Sequence, residues 1–227
     1  SLQEQTYKDY EWILLLNGEA AESKSGKLSA EQEVVDLLRK NNLEDVVSRT
    51  ITREFNDYSG YIGRLKKMCC EVATGEVVAE FDHDDELEPN CLEELNKCFA
   101  DQSVDFAHTH CYQYRGDKTE TPYNPCWGWK YRKDEETGRD ITLCFEPQPA
   151  SFGYIWYAPN HIRAWRKSFY DKIGGHDENL DVCDDHDILC RTYIHGTCVL
   201  IDKALYRYHV NEGQNTCYGE KNAKIQD

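Results

Sequence analysis

The 227-residue chain predicts an α/β fold, a mostly parallel sheet flanked by helices. Three observations carry that expectation. Short apolar runs of strand length alternate with segments of helical periodicity through the first half. The strand-like runs, "WILLL" and "EVVAEF" among them, are close to continuously apolar, as strands covered on both faces are. The third of these runs ends in "DHDD", and in such sheets ligands bind beyond the carboxyl ends of the strands.

In chain order, "SLQEQTYKDY" reads as the middle of a helix, and with no Met at Ser1 an N-terminal piece is expected ahead of it. "YEWILLLNG" is a buried strand closed by Asn17-Gly18. "LSAEQEVVDLLRKNN" is a helix with Ser29 and Gln32 at capping-box spacing and Val34, Val35, Leu37 and Leu38 as its apolar stripe. "VVSRTI" is a second strand. "YIGRLKKMCCEVATG" is a helix with Ile62, Leu65, Cys69, Val72 and Ala73 on one face and Gly75 as its stop signal. The strand "EVVAEF", the helix "EPNCLEELNKCFA" and the strand "DFAHTHCYQY" follow.

Residues 118–165 carry many aromatics and little periodicity; a long irregular stretch in a compact domain is usually functional or mobile. Order returns with the short helix "RKSFYDKIGG", the acid-opened helix "DVCDDHDILCRTYIHG", and "TCVLIDKALYRYHV" as a final strand or strand pair.

Composition narrows the function. Forty per cent hydrophobic and 12% aromatic residues exclude a disordered chain. A formal charge of −16 argues against a nucleic-acid backbone or an anionic membrane as the main partner, unless a divalent metal bridges to a phosphorylated ligand. No apolar run has the length of a membrane helix. The 11 cysteines are odd in number and lack a CxxC pair, so free thiols in a reducing, cytoplasmic setting are expected rather than disulfides or structural zinc.

Asp82, Asp84 and Asp85 repel one another unless something positive lies among them. Three readings are open. Acids are favoured at a helix N-terminus by the dipole. From Asp82 the acids also mimic calcium-loop spacing, but that loop needs glycine where Leu87 stands. The third reading is a Mg²⁺ or Mn²⁺ site shared with a diphosphate, with Asp82 and Asp84 on one side of the chain and Asp85 on the other. A second acidic group, Asp184, Asp185 and Asp187, opens the later helix. Helix N-terminal charge accounts for Asp184 and Asp187.

Four stretches in this order, "QEQTYKDYEWILLLNG", "ATGEVVAEFDHDDELEPNCLEEL", "NHIRAWRKSFYDKIGGHDENLDVCDDHDILCR" and "LYRYHVNEGQNT", together resemble the family-2 glycosyltransferases of GT-A (Rossmann-like) fold. The resemblance spans nearly the whole chain, except for the family's first strand and its base-holding loop, which are either expected ahead of Ser1 or not represented in this chain. It implies a single domain over residues 1–227. Residues 1–115 form the nucleotide-sugar-binding half and 116–227 the acceptor-binding and catalytic half. It also implies inverting transfer of a sugar from a nucleoside-diphosphate sugar, UDP-sugar first, to a glycan or glycoconjugate hydroxyl, with Mn²⁺ or Mg²⁺. In that scheme Asp84 ligates the metal and Asp82 touches the metal or the nucleotide. Asp85 supports the loop or touches the sugar, and Asp185 is the general base. His209 matches a further metal or phosphate contact, with a strand histidine as the plain alternative. Lys66 falls near the donor, with a solvated lysine as its alternative, as for Lys67. The aromatic segment from Tyr123 to Trp165 is either a sugar-stacking acceptor side or a small core. Two rival functions remain: a sugar nucleotidyltransferase, whose Gly-rich phosphate loop is not visible, and a non-catalytic carbohydrate- or calcium-binding module.

Overall fold

The structure is a computed structural model that describes residues 1–16, 30–41, 47–52, 61–155 and 157–210. Strand β1 (Trp12–Leu16) pairs in parallel with β2 (Val47–Thr52), and helix α1 (Ala30–Lys40) stands between them in the chain. Ser29 and the turn at Asn17-Gly18 lie outside the described residues. Within the expected stripe of α1, Leu38 is buried whereas Leu37 is 58% exposed, so the buried face is narrower than the pattern indicates.

Helix α2 (Ile62–Val72) ends at Ala73, and the Glu11 carboxylate accepts hydrogen bonds from the Thr74 and Gly75 amides beyond it. Strand β3 (Val77–Ala79) then enters an eight-stranded sheet, and α3 (Cys91–Phe99) follows β4 (Glu86–Leu87). The spine of that sheet is β5 (Phe106–Arg115), buried along eight of its positions.

The expected irregular region is largely ordered into β6 (Lys118–Thr119), β7 (Lys130–Lys133), β8 (Asp140–Leu143), the one-turn helix α4 (Pro149–Phe152) and β9 (Arg163–Arg166). Its strands are too short for alternation to show, and Gly128 and Gly138, both at positive φ, turn the chain between them. Helices α5 (Lys167–Lys172) and α6 (Asp184–His195) precede the last strand, β10 (Cys198–His209).

The α/β class holds, but the sheet is mixed rather than mostly parallel. Its main path runs β3-β9-β5-β10-β4. Strand β10 lies parallel to β5, while β9 runs antiparallel to both β3 and β5, and β4 antiparallel to β10. The physical reason is β9. It inserts between β3 and β5, so the connection from β3 through α3 skips one place in the sheet. Burial on both faces makes antiparallel strands read like parallel ones.

Alternation along β5 supplies both cores. Ala107 and Cys111 pack with Leu87, Cys91, Leu95 and Leu205 under α3. Phe106 points the other way, to Trp165, Phe169, Tyr170, Ile188 and Leu189 under α5 and α6.

The N-terminal segment is not helical. Its anchor is Gln5, 1% exposed, whose amide donates to the Glu88 carbonyl (2.9 Å) and whose side-chain oxygen accepts from the Leu92 amide (3.0 Å). Gln5 thus satisfies an orphan amide in the first turn of α3, where Asn90 makes no side-chain cap. Gln5→Ala strands the Leu92 amide, while the Glu88 carbonyl keeps the Cys91 amide, and urea unfolding is expected to show a loss of about 1–3 kcal/mol.

Candidate active site

The acidic loop is held against β10 at three points. The Asp82 amide donates to the Tyr206 hydroxyl (3.2 Å) and the His209 amide donates to Asp85 Oδ1 (2.8 Å). Glu86 and Leu87 pair with Arg207 and Tyr206 as β4. Asp85 is therefore buried, and burial raises its carboxyl to about 7 although the His209 amide and the Tyr206 hydroxyl favour the ionised form. The side chains of Asp82 and Asp84 are 41% and 28% exposed. Leu87, 2% exposed in β4, closes the calcium-loop reading, because a core strand residue stands where that loop must turn.

Asp185 opens α6 and is held from two sides. Oδ1 lies 2.6 Å from Lys66 Nζ and Oδ2 lies 2.9 Å from Arg163 Nη1. Arg163 is 1% exposed and all of its nitrogens are engaged. Nε donates to the Pro159 carbonyl and Nη2 to the Tyr157 carbonyl, both at 2.7 Å. Lys66 does not behave as a solvated lysine: it also lies 3.4 Å from Glu80 and 3.5 Å from Asp184. Gly63, one turn earlier in α2, makes this approach possible, since a Cβ there would meet Asp184 Cβ at 2.8 Å. Lys67 faces Glu178 at 3.6 Å.

Glu80 is the hub. Buried in the segment after β3, it contacts Lys66, Arg163 (3.3 Å), His161 (3.2 Å) and His176 (2.7 Å). Two carboxylates, Glu80 and Asp185, therefore share two cations, Lys66 and Arg163. Burial alone would raise both acids, but the cations win. Lys66 and the two histidines hold Glu80 well below the usual carboxylate range, and Arg163 and Lys66 do the same for Asp185. Burial likewise opposes the charge on Lys66, yet Asp185, Glu80 and Asp184 raise its pKa well above the usual lysine value.

Glu80, His176 and Asp185 offer ligand atoms within 4.8 Å of one another, the one such group among the described residues. Lys66 and Arg163 already neutralise that group, so it reads as an ion-pair cluster rather than a metal centre. The structure does not gather Asp82, Asp84 and His209 into a comparable cage. His209 stacks on Tyr114 with ring centroids 5.5 Å apart, and its Nε2 makes no hydrogen bond.

A cleft of ≈160 Å³ joins the two acidic groups; Lys66, Asp82, His161, Asp185, Tyr206 and Tyr208 are among its walls. It draws on both halves of the chain. Of the aromatics, Trp129 is buried and stacks on Tyr123 at 4.1 Å, with Phe145 and Tyr157 beside them. That is a small core whose rim, Tyr123 and Tyr157, also lines the cleft. Trp165 belongs to the main core instead, and Trp156 lies outside the described residues.

Sequence reading passed over Glu80, His161, Arg163 and Tyr206. Glu80 left one trace, as the only charge in the run "VVAEF".

Residues 1–174, more than half of the chain, match the model of glycosyl transferase family 2. The chain belongs to that family. Among solved structures it is similar to S. aureus TarS 1-349, at 15% identity and a TM-score of 0.61, over 92% of this chain and 54% of that one. The TarS 1-349 complex with UDP-GlcNAc gives 15% identity and a TM-score of 0.66, over 96% of this chain and 55% of that one. Full TarS gives 14% identity and 0.62, over 92% and 33%. This family-2 chain thus shares the GT-A fold and spans about half the length of the 1-349 structures. No curated protein matches its sequence.

Two outcomes test the electrostatics. Glu80→Gln leaves buried cations short of a partner and is expected to cost about 3–5 kcal/mol in urea unfolding. Asp85 has the opposite signature to Glu80 and Asp185. With its folded pKa raised, its contribution to stability is complete below the unfolded value and lost as pH rises through about 7. Glu80 and Asp185, with depressed values, contribute constantly above about pH 5 and lose that contribution only in stronger acid. The metal-free protein is expected to show a falling melting temperature between about pH 5 and pH 8, and Asp85→Asn to flatten that limb.

Proposed function

We propose that this family-2 domain is a metal-dependent, inverting glycosyltransferase that moves a sugar from a UDP-sugar to a hydroxyl of a glycan or glycoconjugate. One observation carries the reading: a single cleft has Asp82, the first acid of the loop, on one wall and Asp185 on another. The complexes of TarS with UDP and with UDP-GlcNAc support a uridine nucleotide as donor. The division into a nucleotide-sugar half, 1–115, and an acceptor half, 116–227, belongs to the same proposal, as does a reducing compartment. Among the described residues the cysteines are unpaired and no helix is long and apolar enough to cross a membrane.

Asp82, Asp84 and His209 are the residues that would hold Mn²⁺ or Mg²⁺. Their chemistry fits: two partly exposed carboxylates and an imidazole nitrogen without a hydrogen bond. Such ions keep open positions for phosphate oxygens and need no complete protein cage. The bound ion would offset the charge of the diphosphate leaving group.

The chain's own residues supply the rest. Asp85, buried against β10, fixes the loop. Asp185 accepts the proton of the acceptor hydroxyl as its oxygen attacks the anomeric carbon from the face opposite the diphosphate, which inverts configuration. Paired with two cations, Asp185 is a weak base. Arg163 is tied to backbone carbonyls and stays, whereas Lys66, on the wall with Asp82, is the cation able to exchange a carboxylate for a donor phosphate. That exchange would return basicity to Asp185 when donor is present. Tyr123 and Tyr157 offer ring faces on the acceptor side.

A thermal-shift panel of UDP, GDP, CDP and dTDP, each with and without Mn²⁺, tests the donor site. A ligand at 100 times its dissociation constant adds about 2.7 kcal/mol, several degrees for a domain of this size. The expected response requires UDP and metal together and disappears in Asp84→Asn. Asp185→Asn is expected to keep that response while UDP release from UDP-sugars, measured over a panel of glycan acceptors, falls by about 10²-fold or more. Unchanged turnover in Asp185→Asn would remove it as the base. Binding without turnover in the wild type would favour a non-catalytic module.

A further inference from the structure

Ten cysteines are described and none is bonded, but two of them touch. Cys111 Sγ and Cys144 Sγ are 3.8 Å apart. Cys111 sits mid-way along β5, opposite Thr142 of β8, and Cys144 follows two residues later just past the end of β8. Both are buried, at 1% and 6% exposure. We propose that Cys111 and Cys144 are a peroxide-sensitive dithiol, a modification site in the wall of the cleft that closes reversibly to a disulfide.

Three observations support this. First, the cleft reaches the pair at one member: Cys111 lines it, with Cys144 directly behind, and Asn160, also in the lining, points its backbone amide to Cys144. Hydrogen peroxide, little larger than water, fits a space of ≈160 Å³. Second, the surroundings favour one thiolate. Burial pushes Cys144 up, but the adjoining Cys111 thiol, the His110 ring and the Asn160 amide outweigh it and bring the thiol down to about 6. Cys69 and Cys198, half-buried without such partners, are pushed up to about 11 and about 12. A lowered pKa and a resolving neighbour are what separate reactive from inert buried cysteines. Third, the framework holds the pair in register. The Cys144 amide donates to His110 Nδ1 (3.1 Å), whose Nε2 faces Asp202 (3.2 Å), and the Gln113 amide spans Cys111 Sγ and the Tyr123 hydroxyl.

The chemistry balances with peroxide as the oxidant. The Cys144 sulfur attacks one peroxide oxygen, the O–O bond breaks, and Cys144 becomes a sulfenic acid with loss of one water. The Cys111 sulfur then attacks the Cys144 sulfur, the S–O bond breaks, and a second water leaves with the Cys111 proton. Two thiols are oxidised by two electrons and one peroxide is reduced to two waters. The sulfurs must close from 3.8 Å to about 2.05 Å. A shift of Cys144 in that closure would loosen its contact with the Asn160 amide, and Asn160 precedes His161 and Arg163 in the cluster around Glu80.

The test treats the full chain with graded hydrogen peroxide, removes excess with catalase, unfolds and alkylates it, and maps its peptides by mass. The expected product is a linked Cys111–Cys144 peptide that dithiothreitol releases and that is lost in Cys144→Ser. Cys126→Ser, which removes an exposed thiol, is expected to leave the link unchanged. Full alkylation of Cys111 and Cys144 at peroxide doses that already oxidise Cys126 would overturn the proposal. So would a link that persists in Cys144→Ser. A thermal shift with UDP and Mn²⁺ is expected to be lost on oxidation of the wild type and kept in oxidised Cys144→Ser. The link is read without nucleotide, so its absence sinks the dithiol alone, and a reduced protein indifferent to UDP sinks the donor reading alone.

Discussion

The rest of the site depends on the burial of Glu80. A carboxylate removed from water costs several kcal/mol unless cations and hydrogen bonds surround it. Here they come from four places: Lys66 on α2, His161 ahead of β9, Arg163 on β9, and His176 after the Gly174-Gly175 turn. No single element could supply them. Satisfying one charge therefore pins together segments distant in sequence, and Asp185 is fixed as the second anion that two of those cations require. The geometry of the proposed base follows from the needs of a residue that takes no part in the reaction.

The opposite wall has a different support. Strand β10 follows β5 in parallel and breaks register between Ile201 and Ala204 and again between Ala204 and Tyr206. Irregularities of this kind re-aim side chains. Past them, Tyr206 reaches the amide of Asp82 and stacks against His161, at 5.4 Å between ring centroids. One tyrosine thereby touches both the acidic loop and the ring that faces Glu80.

How much of this the sequence disclosed depends on range. Elements set by local pattern were legible: β1, α2, α3, α5 and α6 stand where periodicity and stop signals placed them. The acidic loop lies past β3 and Asp185 on the first turn of α6, as expected. Strand direction was not legible, because β9 is a four-residue insertion whose apolar pattern carries no sign of orientation. Nor was the N-terminal segment, whose conformation is decided by the contacts of Gln5 with residues more than eighty positions away. The fate of Lys66 was hidden for the same reason. Nothing near it reveals that Glu80 and Asp185 will meet its ammonium, and a lysine on a helix face is solvated by default.

The long parallel pairing of β5 with β10 also bears on how the domain acquires its shape. Hairpins and helices close over a few residues, whereas this ladder joins segments separated by most of the second half of the chain, and such closures come slowly. Tyr206 and His209 reach the acidic loop only through that ladder. A chain still emerging, or one halted part-way, would lack a finished cleft. Competence at the site and completion of folding are therefore one event in this architecture.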